Sequence, residues 1–163
     1  MESRAKLLGH PIHPMLIVLP LGLFIAAVVF DLLFIWRETP TFSLVAYWNI
    51  AGGVVGGLLA AVFGFIDWLA IPTGTRAKRI GLLHGAANFI VLVLFAVSWM
   101  ARGDALNYAP SLMLFGLEIV ALAIGTVAGW LGGELVDRLA VGVDDGAHLN
   151  APSSLSGRPA RPA

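Results

Sequence analysis

Four long apolar runs, separated by short polar breaks, decide what this chain can become: residues 15–36, 44–70, 80–100 and 111–136. At a rise of 1.5 Å per residue, even the shortest spans roughly 30 Å, the thickness of a bilayer's hydrocarbon core. Lipid offers no water to backbone polar groups, so runs of this length must be helical. The sequence predicts an all-α membrane protein, a four-transmembrane-helix antiparallel bundle in contact with the lipid bilayer. Charged residues make up only 12% of the chain, about half of what soluble domains carry. A formal net charge of zero argues against a nucleic-acid partner, and the absence of cysteine excludes disulfides, thiolate metal sites and Cys-ligated iron–sulfur clusters. The first run is too long for a signal-peptide core and lacks an A-x-A cleavage pattern, so it reads as a retained helix.

Around these spans, residues 1–14 form a basic arm and residues 139–163 a Gly-, Pro- and Ser-rich tail read as largely disordered. The transmembrane domain is residues 15–138. Eight of the ten Lys and Arg residues lie on the arm, the loop at 71–79, Arg138 and the tail, whereas only Arg37 and Arg102 lie on the opposite side. The positive-inside rule then puts both termini in the cytoplasm of a cell bounded by an inner membrane. Pro20 cannot donate to the carbonyl of Leu16, which predicts a kink in the first helix. Gly52, Gly56, Ala60 and Gly64, beside Gly53, Gly57 and Ala61, form rows of small residues suited to close helix contact. A partial repeat is visible: Arg4-Ala5-Lys6 before His13 resembles Arg76-Ala77-Lys78 before His84. It suggests two repeated helical hairpins related by an axis along the membrane normal.

The polar residues within the spans fall into two layers. His10 and His13, each followed by proline, open the first helix; proline keeps its predecessor out of helical geometry, so His13 is expected at the cap and His10 just outside. Asp67 ends the second helix, His84 and Asn88 lie one turn apart in the third, and Glu134 ends the fourth. All six belong to the side carrying the termini. Asp31 and Glu118 form a separate outer set, Glu118 without a visible partner except a protonated state. Ionisable side chains at membrane depth are costly and functional by default. Neutral imidazole ligates zinc, copper and iron, and two imidazoles from facing helices of a bundle can hold haem iron from both sides. His10, His13, His84, Asp67 and Asn88 are therefore the candidate cofactor-binding residues, with His13, His84 and Asp67 as candidate metal ligands and Asp67 or Glu134 orienting an imidazole. The structural alternatives are an Asp67 pair with Arg76 or Lys78, a His84 imidazole bonded to Asp67 or a backbone carbonyl, and an Asn88 that bridges helices. His148, near Asp144 and Asp145, is expected to be solvated. No G-x-S-x-G, Walker, H-E-x-x-H or dinucleotide motif occurs, so the chain is not expected to be an enzyme on its own.

His10-Pro11-Ile12-His13-Pro14-Met15, then Leu19-Pro20-Leu21-Gly22 and Asp31, resemble the opening of the bacterial membrane proteins grouped as domain-of-unknown-function family 2231. Gly64-Phe65-Ile66-Asp67 with the following Ile71-Pro72, His84 with Asn88, and Gly142-Val143-Asp144 extend the resemblance to most of the chain. It implies a four-helix membrane domain of a kind sometimes joined to Rieske iron–sulfur or cytochrome-like modules, hence a redox setting without a stated reaction. Two expectations follow. One is a haem b electron carrier, held by His84 with His13 or His10, between quinone and a redox protein or a respiratory or photosynthetic membrane complex. The other is a non-redox membrane protein whose His/carboxylate layer binds a divalent metal or serves structure and assembly. A transporter is the weakest reading, since four unbroken spans leave little room for alternating access.

Overall fold

The structure, a computed structural model, describes residues 1–160. It opens with a small hairpin in which β1 (Lys6–Leu7) pairs antiparallel with β2 (His10–Pro11), Leu7 opposite His10. The turn is Leu8-Gly9, both at positive φ, 51° and 85°, the mirror-image turn whose twist suits a two-residue connection. There follow α1 (Ile12–Leu16), α2 (Val18–Arg37), α3 (Pro40–Ala70), α4 (Arg76–Ala101) and α5 (Leu112–Gly133), the last running on into a π-helical turn at Glu134–Arg138. Four helical stretches are long and apolar enough to cross a membrane, α1 with α2 making the first. They pack as the expected antiparallel bundle of two hairpins, α2 on α3 and α4 on α5, joined mainly where α3 meets α4.

Local chemistry sets the helix ends, and it lengthens three helices beyond their apolar runs. Pro40 occupies the first turn of α3 behind an extended Thr39, where its missing N–H is no loss. Thr75 caps α4, its hydroxyl accepting from the Lys78 amide at 3.1 Å, so Arg76, Lys78 and Arg79 are helical rather than loop. The first helix begins at Ile12, which puts His13 one residue inside α1 and not at the cap. The Leu16 carbonyl lacks the bond that Pro20 cannot give, and α1 and α2 meet there at Ile17, which keeps helical φ/ψ of −62° and −19°. Ile71, extended ahead of Pro72, ends α3.

Close approach of backbones builds the core, as expected where lipid removes any hydrophobic drive between helices. A Cβ at Gly53 would meet Phe24 at 2.5 Å, one at Gly56 would meet Leu19 at 2.9 Å, and one at Gly57 would overlap Leu92. The small-residue rows of α3 are thus helix contacts. Gly129 and Gly133 of α5 face open space, and Gly132 makes the contact there instead. At the centre, Phe24, Ala27 and Val28 of α2 meet Ala46 and Ile50 of α3, Val91 and Phe95 of α4, and Ala121 of α5.

Across that centre the first and third spanning stretches, α1 with α2 and α4 with its C-cap Arg102, meet through three pairs. His13 lies edge-on to His84, Phe24 stacks on Phe95 and Asp31 pairs with Arg102. Every pair has the same sequence separation, 71 residues, as two parallel helices in register keep at successive depths, since each rises about 1.5 Å per residue. The register is one residue away from the one suggested by the two Arg-Ala-Lys triplets. Those are not equivalent: Arg4 and Lys6 belong to the arm, whereas Arg76 and Lys78 open α4.

The first residues of the tail bond to the arm. The Gly142 amide donates to the Met1 carbonyl at 2.9 Å and the N-terminal ammonium donates to the Ala140 carbonyl at 2.8 Å. Lys6 pairs with both Asp144 and Glu2, and these bonds, Asp144 first, raise its pKa above the ordinary lysine value. Residues 161–163, with the Arg161 counted for orientation, lie outside the described residues.

Candidate functional site

At the end of the bundle that carries both termini, each hairpin holds one imidazole in the same way. His13 Nδ1 lies 2.8 Å from the Ala60 carbonyl of α3, and His84 Nδ1 lies 2.8 Å from the Ala128 carbonyl of α5. A carbonyl oxygen only accepts, so each Nδ1 carries a proton; on the neutral His84 ring Nε2 then accepts from the Asn88 amide at 3.2 Å. One turn further along each partner helix a glycine backs the ring. A Cβ at Gly64 would sit 2.9 Å from His13, and one at Gly132 would sit 3.1 Å from His84. Any side chain at those two positions would push the rings aside. The ring centroids are 6.2 Å apart, at an interplanar angle of 83°.

The other candidate residues are distributed differently. Asn88 donates to the His84 carbonyl at 2.9 Å and lies 3.2 Å from His84 Nε2; these bonds are within its own helix, so the expected bridge between helices is not made. Asp67 is taken up by the arm. It accepts from the Ser3 hydroxyl at 2.8 Å and from the amides of Arg4 and Ala5 at 2.8 and 3.3 Å. Its expected partners go elsewhere: Arg76 pairs with Glu134 at 2.6 Å, and Lys78 donates to the Trp68 carbonyl at 2.7 Å while covering the Trp68 ring. No bond joins Asp67 or Glu134 to an imidazole among the described residues. His10 lies in β2, 3.3 Å from the Ser154 hydroxyl of the tail. His148 is exposed, as expected.

Toward the opposite end lies a fully buried charge layer. Arg102 Nη1 donates to Asp31 Oδ1 at 2.9 Å and Nη2 to Asp31 Oδ2 at 2.5 Å, a two-pronged pair. The same Nη2 also donates to Glu118 Oε1, which in turn accepts from the Ser98 hydroxyl. Arg102, Asp31, Glu118 and Ser98 all have zero exposure. The sequence reading grouped Asp31 with Glu118 but left Arg102 in the break between the third and fourth spans and Glu118 without a partner. A signal was present nonetheless: two carboxylates inside apolar runs required a cation, and only Arg37 and Arg102 lie at that end. Arg37 covers the Trp36 ring at the surface, which leaves Arg102.

No curated protein and no solved structure matches the chain. The family model described as "Predicted membrane protein (DUF2231)" matches residues 9–145. That match takes in both imidazoles, the carbonyls and glycines that hold them, and every member of the buried charge layer, and the chain therefore belongs to the DUF2231 family of predicted membrane proteins.

Proposed function

We propose that the chain is a redox subunit of the bacterial inner membrane in which His13 and His84 would hold a b-type haem. The observation that carries this reading is the matched pair itself, with Nδ1 of both rings committed to backbone carbonyls and the centroids 6.2 Å apart. A ring N–H held by a carbonyl fixes the tautomer and turns Nε2 toward a metal. At that separation both imidazoles could reach one iron. The donor set fits haem better than a bare divalent ion. Zinc takes three or four protein ligands, and among the described residues no group of three or more His, Cys, Asp or Glu side chains is placed to hold an ion. A porphyrin brings its own four nitrogens and needs only two from the protein.

When bound, haem supplies one-electron transfer. The chain's own contribution is to present two neutral imidazoles, to lock their rings through Ala60 and Ala128, and to enclose them between helices. Its electron partners on this reading are a membrane quinone and a redox protein or respiratory or photosynthetic complex. Orientation rests on the Lys/Arg excess at the end with the termini, which faces the cytoplasm; burial of Arg102 leaves Arg37 as the one exposed cation opposite. The test is a reduced-minus-oxidised spectrum of protein purified from cells supplied with haem precursor, with metal analysis of the same sample. Soret and α bands with about one iron per chain are expected. Iron-free protein without those bands overturns the reading.

A second reading has its own observation. Each imidazole is already satisfied by a carbonyl, as a structural buried histidine must be. On this view the layer pins the two hairpins together and the chain serves assembly; a folded protein with no haem and no metal would favour it.

A further inference from the structure

The charge layer contains two carboxylates and one guanidinium, all with zero exposure. If both acids were ionised, the layer would carry one uncompensated negative charge inside a membrane bundle. A buried charge without its own partner is strongly disfavoured, and such a group takes up a proton instead. The hydrogen bonds indicate which acid does so. Asp31 accepts on both oxygens from Arg102 in the two-pronged geometry that suits an ionised carboxylate. Glu118 receives both of its bonds on Oε1, from Ser98 and Arg102, and its buried Oε2 has no partner among the described residues. Asp31 and Glu118 accept from the same Nη2, so the two acids lie side by side.

We propose that Glu118 is a buried proton-binding site, holding its proton on Oε2 at neutral pH, with the ionised Asp31–Arg102 pair as the fixed charge beside it. The groups facing Glu118 are Asp31 from α2 and Arg102 and Ser98 from the end of α4. With the proton in place the layer is neutral. The bound species is a single proton, and the site is independent of the haem reading at the other end of the bundle.

Infrared spectroscopy of the full chain in detergent or liposomes at neutral pH tests this. The wild type should show the carbonyl stretch of a protonated carboxylic acid, shifted in D2O and missing in Glu118→Gln. Asp31→Asn should lose the same band although Glu118 is intact, because Arg102 then takes Glu118 as its one counter-charge. Absence of the band from the wild type overturns the proposal, as does a band that survives Glu118→Gln. A band that persists in a folded Asp31→Asn protein overturns the charge-balance argument. If Asp31→Asn fails to fold, the Glu118→Gln difference spectrum still decides.

Discussion

Phe24 and Phe95 stack face to face at the centre of the bundle, ring planes parallel and centroids 4.0 Å apart, although they hold the same place in two different hairpins. The contact is possible only because Gly53 stands behind Phe24. At two levels like meets like, which suits an apolar ring and suits two neutral imidazoles. It would be ruinous for two carboxylates. At the third level the partners are unlike, with Asp31 meeting Arg102.

Gly53→Ala should force Phe24 from its stack and destabilise the protein by roughly 1–3 kcal/mol, the usual effect of overpacking a close contact. Gly22→Ala is the control, since nothing lies within 4 Å of a Cβ there. Thermal unfolding of both variants in detergent measures the difference, and equal midpoints would remove the stack from the account of stability.

Arg102→Leu leaves Asp31 and Glu118 buried without their cation. Removing one partner of a buried ion pair costs roughly 3–5 kcal/mol, whereas replacing every member with apolar side chains is often close to neutral. The triple variant Asp31→Leu, Arg102→Leu, Glu118→Leu should therefore be more stable than Arg102→Leu alone. Denaturant unfolding of the two proteins gives the order.

His13→Ala and His84→Ala should each abolish the Soret and α bands while the helical circular dichroism stays at the wild-type value. If the imidazoles are structural, both variants should instead lower the melting temperature and leave an unchanged absorption spectrum.

Asp67→Ala deprives the arm of the acceptor for Ser3, Arg4 and Ala5. Limited trypsinolysis after Arg4 and Lys6 should accelerate several-fold, with cleavage elsewhere unchanged. A cleavage rate equal to wild type would mean that the arm is held by the tail contacts alone.

The chain has no cysteine, so single cysteines report orientation cleanly. One placed within residues 103–106 should react with an impermeant reagent from outside the cell, and one within residues 73–75 should not. The reverse pattern would invert the topology proposed from the Lys/Arg asymmetry.

The bundle was legible in the sequence because the membrane imposes a length and a composition on every span, and both can be read without knowing which helix meets which. The small-residue rows of α3 and the bond missing ahead of Pro20 were legible for the same reason: glycine and proline act on the backbone locally. So was the depth of the two histidines. The tertiary structure alone decided which groups share a bond. Nothing in the spacing of Ala60 or Ala128 marks their carbonyls as partners of imidazoles, since a backbone acceptor has no signature in sequence. Asp67, predicted for the histidine layer, belongs to the arm because three donors converge on it there. Arg102 read as a loop residue because charge ordinarily marks the edge of a membrane span. It is buried because two carboxylates at its depth, one from each hairpin, need a cation more than Arg102 needs water.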